Sequence, residues 1–217
     1  MNIDIAGTSL ELLPERAAFW RERSTLFVAD THWGKAAAFR AHSIPVPYGT
    51  TDNDLARLSA AIGKTNCRRI VLLGDALHAR EGRAKKTFAA VAEWRARHAD
   101  VEVVLVRGNH DRRAGDPPEE LGIRCVDAPL YEAPFVFLHH PVASTQGYSL
   151  AGHTHPAVKL RGRGLQRATL PCFFFTPTVA TLPAFGSFCG NAVISPEAGD
   201  RVYAVAGDEI VAIPTVY

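Results

Sequence analysis

Carboxylate, imidazole and amide side chains recur at five points in this 217-residue chain, each just after a short apolar run. Thr25-Leu-Phe-Val-Ala29 runs into Asp30-Thr31-His32, and Ile70-Val-Leu-Leu73 into Gly74-Asp75. Val101-Glu-Val-Val-Leu-Val106 leads to Gly108-Asn109-His110-Asp111. Phe135-Val-Phe-Leu138 leads to His139-His140-Pro141, and Tyr148-Ser-Leu-Ala151 to Gly152-His153-Thr154-His155. Six of the nine histidines fall inside these motifs, a concentration that points to cation binding rather than to scattered surface imidazoles.

Asp30 and His32 are two residues apart, so on a regular strand both side chains project to one side and can grip one ion. His153 and His155 repeat that spacing. Asp75 has two carboxylate oxygens and could bridge two ions, and Asn109 offers a neutral carbonyl oxygen. With no thiolate nearby, this mixed oxygen and nitrogen set suits Mn²⁺, Fe or Zn²⁺ better than Ca²⁺. Two divalent ions about 3.5–4 Å apart generate a hydroxide at neutral pH and clamp an in-line phosphoryl displacement.

These side chains need strands to deliver them. Leu10 to Leu13 and Arg16 to Trp20, around Pro14-Glu15, read as a hairpin leading into Thr25–Ala29. The alanine-rich stretch Trp33 to His42 reads as helix, followed by the proline-broken loop Ser43 to Gly49. Thr51-Asp-Asn-Asp54 is expected to cap a helix carrying Leu55, Leu58 and Ile62, with Thr50 and Thr51 as cap residues. A second helix is expected over 82–98, with Phe88, Val91 and Trp94 on one face. The β-α-β-α-β run implies buried, largely parallel strands with helices outside. Beyond Asp111, Asp116-Pro-Pro118 is expected to open a short helix. Strands follow at Arg124–Val126, Tyr131–Leu138, Tyr148–Ala151 and Val158–Leu160, and a last hairpin at Arg201–Val205 and Ile210–Ile213. The aromatic run Phe173-Phe-Phe175 reads as core packing. A helix-covered half and a mostly antiparallel half fit a two-sheet α/β sandwich sharing one active edge, formed as a single domain over 1–217.

Composition bounds the rest. Apolar residues make up 47% and charged residues 21%, an ordinary globular balance. The net charge of +2 is too near neutral to demand a nucleic-acid partner by itself. Cys67, Cys125, Cys172 and Cys189 form no CxxC pair and read as small buried hydrophobes in a reducing cytoplasm. Neither a signal peptide nor an apolar run of about 18 residues is evident, so a cytoplasmic protein without a membrane partner is expected.

Asp30-x-His32, Gly74-Asp75, Gly108-Asn109-His110-Asp111, His139 and Gly152-His153-x-His155 resemble, in order, the five motifs of the calcineurin-like metallophosphoesterases. The resemblance spans about residues 25 to 156. It implies an α/β fold, a four-layer α/β/β/α sandwich with two mixed sheets. It also implies two divalent cations, Mn²⁺ favoured over Fe or Zn²⁺. One ion would be held by Asp30, His32, Asp75 and His155, the other by Asp75, Asn109, His139 and His153. His110 would act off the metals on the leaving oxygen, oriented by Asp111. His139 is favoured over His140 as the ligand because the family places its ligand first in His-x-Pro.

A narrower resemblance lies in Asp30-Thr-His-Trp-Gly-Lys-Ala-Ala-Ala-Phe-Arg40 and Ile44-Pro-Val-Pro-Tyr-Gly-Thr-Thr51. These stretches are similar to the bacterial ligase-associated DNA damage response endonucleases of the PdeM type, with Trp33 standing where an aliphatic residue is expected. That resemblance implies DNA as substrate and a repair setting beside an ATP-dependent DNA ligase, a helicase and an exonuclease. Lys35, Arg40 and Arg112 are the candidate substrate-binding residues, with Arg113 as an alternative to Arg112. The basic residues Arg80, Arg83, Lys85, Lys86, Arg161, Arg163 and Arg167 could track a DNA backbone or simply be solvated. His42 and His98 read as surface residues, and His78, three after Asp75, as a residue that could line the cleft. Alternatives are a small-molecule phosphodiesterase or phosphatase and a non-catalytic, metal-bound scaffold.

Overall fold

A computed structural model describes residues 1–46, 49–162 and 166–214. An antiparallel meander opens the chain, β1 (Asn2–Ile5), β2 (Thr8–Leu13) and β3 (Ala17–Trp20), and pairs onto β4 (Thr25–Val28). From there the pairing is parallel. β5 (Arg69–Leu72), β6 (Glu102–Val106) and β7 (Ile123–Val126) follow β4 in order. The connections carry α1 (Lys35–Ala41) and α2 (Thr50–Thr65), then α3 (Lys85–Arg97), then α4 (Asn109–Ala114).

The apolar runs of β4, β5 and β6 serve two cores at once, because successive side chains leave opposite faces of a strand. Leu26, Val28, Ile70, Leu72, Val103 and Leu105 face Leu55, Leu58 and Ile62 of α2 and Val91 and Trp94 of α3. Phe27, Val71 and Val104 face the other way, onto Phe135, Phe137, Leu150, Phe173 and Phe175 of a second sheet. Burial on both faces is why these strands lack polar alternation.

The second sheet comprises β8 (Leu130–Glu132), β9 (Phe135–Phe137), β10 (Tyr148–Ala151), β11 (Pro156–Arg161), β12 (Arg167–Phe175), β13 (Val179–Thr181) and β14 (Ala192–Val193). Its order is β14-β11-β12-β13-β10-β9-β8, with β15 (Arg201–Ala206) added on β12 and β16 (Glu209–Ile213) on β15. β9, β10 and β13 run parallel and most other pairs antiparallel, so both sheets are mixed, as expected.

Several local expectations are corrected. All four α-helices lie before Gly115, and the helical residues in the core clusters belong to the first sheet's outer face. β1 and α4 were not expected, and β7 joins the first, parallel sheet. α2 begins after Gly49, whose left-handed φ of 86° makes the turn, without a side-chain cap; Thr51 instead accepts a bond from the Gly34 amide at 3.5 Å. The expected strand Tyr131–Leu138 is a hairpin broken at Ala133-Pro134. The helix expected over 82–98 starts at Lys85, behind a 3-10 turn, and the one expected at 116–118 is only a 3-10 turn over Glu119–Leu121. Trp33 is buried against Trp94, ring centroids 6.2 Å apart, so its bulk replaces an aliphatic residue in the helix-side core.

Candidate metal centre

Parallel strands end at one edge of a sheet, and here the ends of β4, β5 and β6 meet those of β9 and β10. Backbone hydrogen bonds lock the turns beyond them together. The Asp30 amide donates to Gly74 at 3.1 Å, that of His32 to Asp75 at 2.9 Å, and that of Gly152 to His139 at 3.1 Å. The sheets are joined by the His153 amide, which donates to Asp30 Oδ2 at 2.8 Å.

The motif glycines have a steric explanation. A Cβ on Gly108 would stand 2.2 Å from Asp75 Oδ1, and one on Gly152 2.6 Å from Asp30 Oδ2. A Cβ on Gly74 would stand 2.2 Å from His139 Nδ1, and Gly74 also has a φ of +83°. Each glycine makes room for a functional side chain on a neighbouring strand end. Asp30, His32, Asp75, His153 and His155 themselves hold positive φ angles between 45° and 73°. Such backbone costs roughly 1–3 kcal/mol per residue and clusters at functional sites.

Four groups of donor atoms result among the described residues, two of them built on Asp30. Asp30, His32 and His155 form one, and Asp30, Asp75 and His139 another, with ligand-type atoms within 4.8 Å of one another in each. In the second, His139 donates from Nδ1 to the Leu73 carbonyl at 3.0 Å. Its Nε2 then faces Asn109 Oδ1 at 3.0 Å, His153 Nδ1 at 3.1 Å and Asp75 Oδ2 at 3.3 Å. One N–H cannot serve three lone-pair atoms, whereas a cation among them would. In the first group Asp30 Oδ1 is buried without a hydrogen-bond partner. His155 donates from Nδ1 to Gly190 at 3.1 Å, and its Nε2 stands 3.6 Å from that orphaned oxygen. An unpaired buried carboxylate oxygen is costly, and both donor sets fit divalent cations.

Ionisation agrees with that fit at His32 and Asp75, while His139 is held toward its charged form by the carboxylates beside it. Burial, then the Lys35 charge, pushes His32 down to about 2, which keeps its imidazole neutral and able to ligate. Burial raises Asp75, but the hydrogen bond and charge of His139 outweigh it, and the carboxyl lies below its ordinary value. Burial likewise opposes charge on His139, yet Asp75 and then Asp30 carry it above the ordinary imidazole value.

His110 stands beside the two groups that share Asp30 and forms a further donor group with His32 and His78. Its amide donates to Asp75 Oδ1 at 2.8 Å and its Nε2 lies 4.0 Å from Asp75 Oδ2. The expected orienting bond from Asp111 is not what holds the ring. Asp111 is buried and accepts from the amides of Asp75 at 2.7 Å, Gly108 at 2.9 Å and Leu77 at 3.0 Å. His110 Nδ1 is instead 2.6 Å from the carbonyl of His78, whose ring stacks on it at 4.8 Å and 20°. His78 also meets His32, Nδ1 to Nδ1 at 3.4 Å, and burial, then Lys35, lowers it to about 4. The only sequence signal for it was its place three residues after Asp75.

His140 is exposed, but its ring lies 4.2 Å from that of His153 and joins it and His139 in a fourth donor group. Lys35 and Thr51 line a small cleft with His32, Asp54 and Cys189. Arg40 lies one pocket away, with Lys86 and Thr50. Arg112 borders His110 on one side and Asn109 on the other, and pairs with Asp127 at 3.0 Å. Arg83 is committed to the carbonyls of residues 114–116. Arg161 and Arg167 face each other on β11 and β12, and Arg163 lies outside the described residues. His98 is half-buried and bonded to Ser59 at 2.8 Å, not a free surface residue.

Two mixed sheets with an aspartate and histidine cluster at their shared edge define a phosphoesterase of the metal-dependent class. The calcineurin-like phosphoesterase family matches residues 24–170, and the chain belongs to that family. Over 98% of this chain and 99% of the other, it is 42% identical to the nuclease MPE of Pseudomonas putida, with a TM-score of 0.88. Yfce, a phosphoesterase from E. coli, is 16% identical over 87% of this chain and 96% of its own, with a TM-score of 0.43. The protein of unknown function AQ665 from Aquifex aeolicus is 14% identical over 65% and 82%, with a TM-score of 0.39. No curated protein matches the chain.

Proposed function

We propose that this chain is a di-metal phosphodiesterase that cleaves DNA as an endonuclease in repair. The observation that carries the two-ion reading is the pair of donor sets that share Asp30, each with a surplus of lone pairs that a cation would satisfy. Asp30, His32, Asp75 and His155 would hold one ion, and Asp75, Asn109, His139 and His153 the other. Bound there, the ions supply positive charge to the phosphate and acidify a water.

The remaining work falls to this chain's own side chains. With His110 Nδ1 held by the His78 carbonyl, Nε2 is the atom turned toward Asp75 and the reacting centre, where it can pass a proton to the leaving oxygen. Asp111 keeps the Gly108 and Asp75 turns in register through three amides. Lys35 at the start of α1, Arg40 further along it and Arg112 of α4 would meet substrate phosphate. DNA is favoured by the 42% identity to a nuclease over nearly the full chain. Mn²⁺, a cytoplasmic setting and partnership with an ATP-dependent ligase, a helicase and an exonuclease follow from the narrower motif resemblance.

The deciding assay incubates the protein with Mn²⁺, with EDTA as control, on bis-p-nitrophenyl phosphate, p-nitrophenyl phosphate, and single-stranded and duplex DNA. Cleavage of diester and DNA that disappears with EDTA is the expected result. Diester turnover with intact DNA would replace the nuclease reading by a small-molecule diesterase. Two bound ions with no turnover would favour a scaffold.

A further inference from the structure

Two open grooves leave the donor cluster in different directions and share Arg112. The first is lined by His78, Arg80, His110, Arg112 and Arg113, with Glu81 as its one acid. The second is lined by Arg107, Asn109, Arg112, His140 and Val142, over Ala128 and Leu138. The first is thus a cationic wall. The second mixes one exposed ring, His140, with an apolar side chain, Val142, that is 55% exposed.

We propose, resting on the nuclease reading above, that the grooves form one track for a nucleic-acid strand running past the scissile phosphate. Arg80 and Arg113 hold a neighbouring phosphate on one side, while His140 and Val142 receive a sugar or base on the other. Arg112 borders both grooves, its side chain 57% exposed and, among the described residues, ion-paired with a 64% exposed Asp127. Such a pair contributes little, about 0–1 kcal/mol, so a phosphate can displace Asp127. Stacking on an exposed ring and phosphate contacts are the two ways proteins grip a strand without reading its sequence. A substrate with no neighbouring nucleotide, such as bis-p-nitrophenyl phosphate, reaches the cations without using either arm.

The test compares kcat/KM on a labelled oligonucleotide and on bis-p-nitrophenyl phosphate for the Mn²⁺-loaded wild type, Arg80→Ala/Arg113→Ala and His140→Ala. Metal content and Tm are measured for each. The expected loss on the oligonucleotide exceeds the loss on the small diester by about tenfold or more, in line with stacking worth about 1–3 kcal/mol per base. The salt dependence of oligonucleotide cleavage in the double arginine variant should become shallower, by about 0.7–0.9 in slope per phosphate contact removed. His140→Ala should leave that slope in place. Equal losses on both substrates, or an unchanged slope in the arginine variant, overturn the track while leaving the nuclease reading standing. A wild type that turns over the small diester but no oligonucleotide overturns the nuclease reading first, and the track with it. His140→Phe restoring oligonucleotide cleavage would support a stacking role; loss of bound metal in His140→Ala would overturn it.

Discussion

His139 Nε2 lies 3.3 Å from Asp75 Oδ2, while its Nδ1 is committed to the carbonyl of Leu73. The imidazole comes from the second sheet and the carboxylate from the first, so this contact is where the halves of the centre meet. Asp30 is the residue common to the two donor groups, and in the reading proposed above Asp75 would serve both ions.

Asp75→Asn is expected to remove activity by at least about three orders of magnitude, and to lower the content of both ions. In the wild type, Mn²⁺ at 100 times its Kd should add about 2.7 kcal/mol of stability by mass action. Thermal unfolding with Mn²⁺ and with EDTA checks this. The variant should show a much smaller metal-dependent rise in Tm than the wild type, and an equal rise would remove Asp75 from the centre.

His110→Ala should lower kcat about 10²–10⁴-fold, the usual contribution of a positioned acid or base, while metal content stays close to two ions. Metal analysis beside kinetics separates the outcomes. A variant that loses its ions would make His110 a ligand.

Gly108→Ala is expected to be as harmful as the loss of a functional side chain. Its Cβ would meet Asp75 at both Oδ1 and the amide nitrogen, 2.2 and 2.6 Å away. Overpacking of this kind costs roughly 1–3 kcal/mol, and the displaced carboxylate should lower kcat at least about a hundredfold. Gly63→Ala is the contrasting case. It lies in α2, with nothing within 4 Å of the added carbon, and should raise stability by about 0.5–1 kcal/mol. Tm measurements on the two variants should therefore move in opposite directions.

Arg107 donates to both carboxylate oxygens of Asp116, at 2.8 and 2.7 Å. That hydrogen bond, against some burial, holds the Asp116 carboxyl below its ordinary value. A depressed carboxylate stabilises the fold above its unfolded pKa of about 3.9 and loses that contribution as pH falls through the folded value. Because the pair is partly exposed, Arg107→Ala should cost less than about 1 kcal/mol at pH 7. The difference from wild type should vanish in acid unfolding near pH 2, and the Asp116 resonance should titrate higher.

The centre was legible because few residue types can ligate, and Asp30, His32, Asp75, Asn109, His139, His153 and His155 stand at strand ends that local patterning identifies. Parallel pairing then brings those ends to one edge, as β4, β5 and β6 do. His78 was read as a residue that could line the cleft, as it does, but its hold on His110 is a backbone carbonyl, which no side-chain pattern encodes. Asp111 was assigned to the wrong partner for a related reason, since its carboxylate serves amides rather than the ring beside it. The cap of α2 was misassigned because Gly49 turns the chain by its φ, and Thr50 and Thr51 line the cleft instead.

The contact between His139 and Asp75 is also a seam. Asp30, Asp75 and Asn109 are anchored to the first sheet, and His139, His153 and His155 to the second, so whatever occupies the donor groups is fastened to both. A cation held by both would therefore act as a removable crosslink across the hydrophobic interface. It would oppose the parting of the sheets, and the packing of Phe27 on Phe137 would share in its protection.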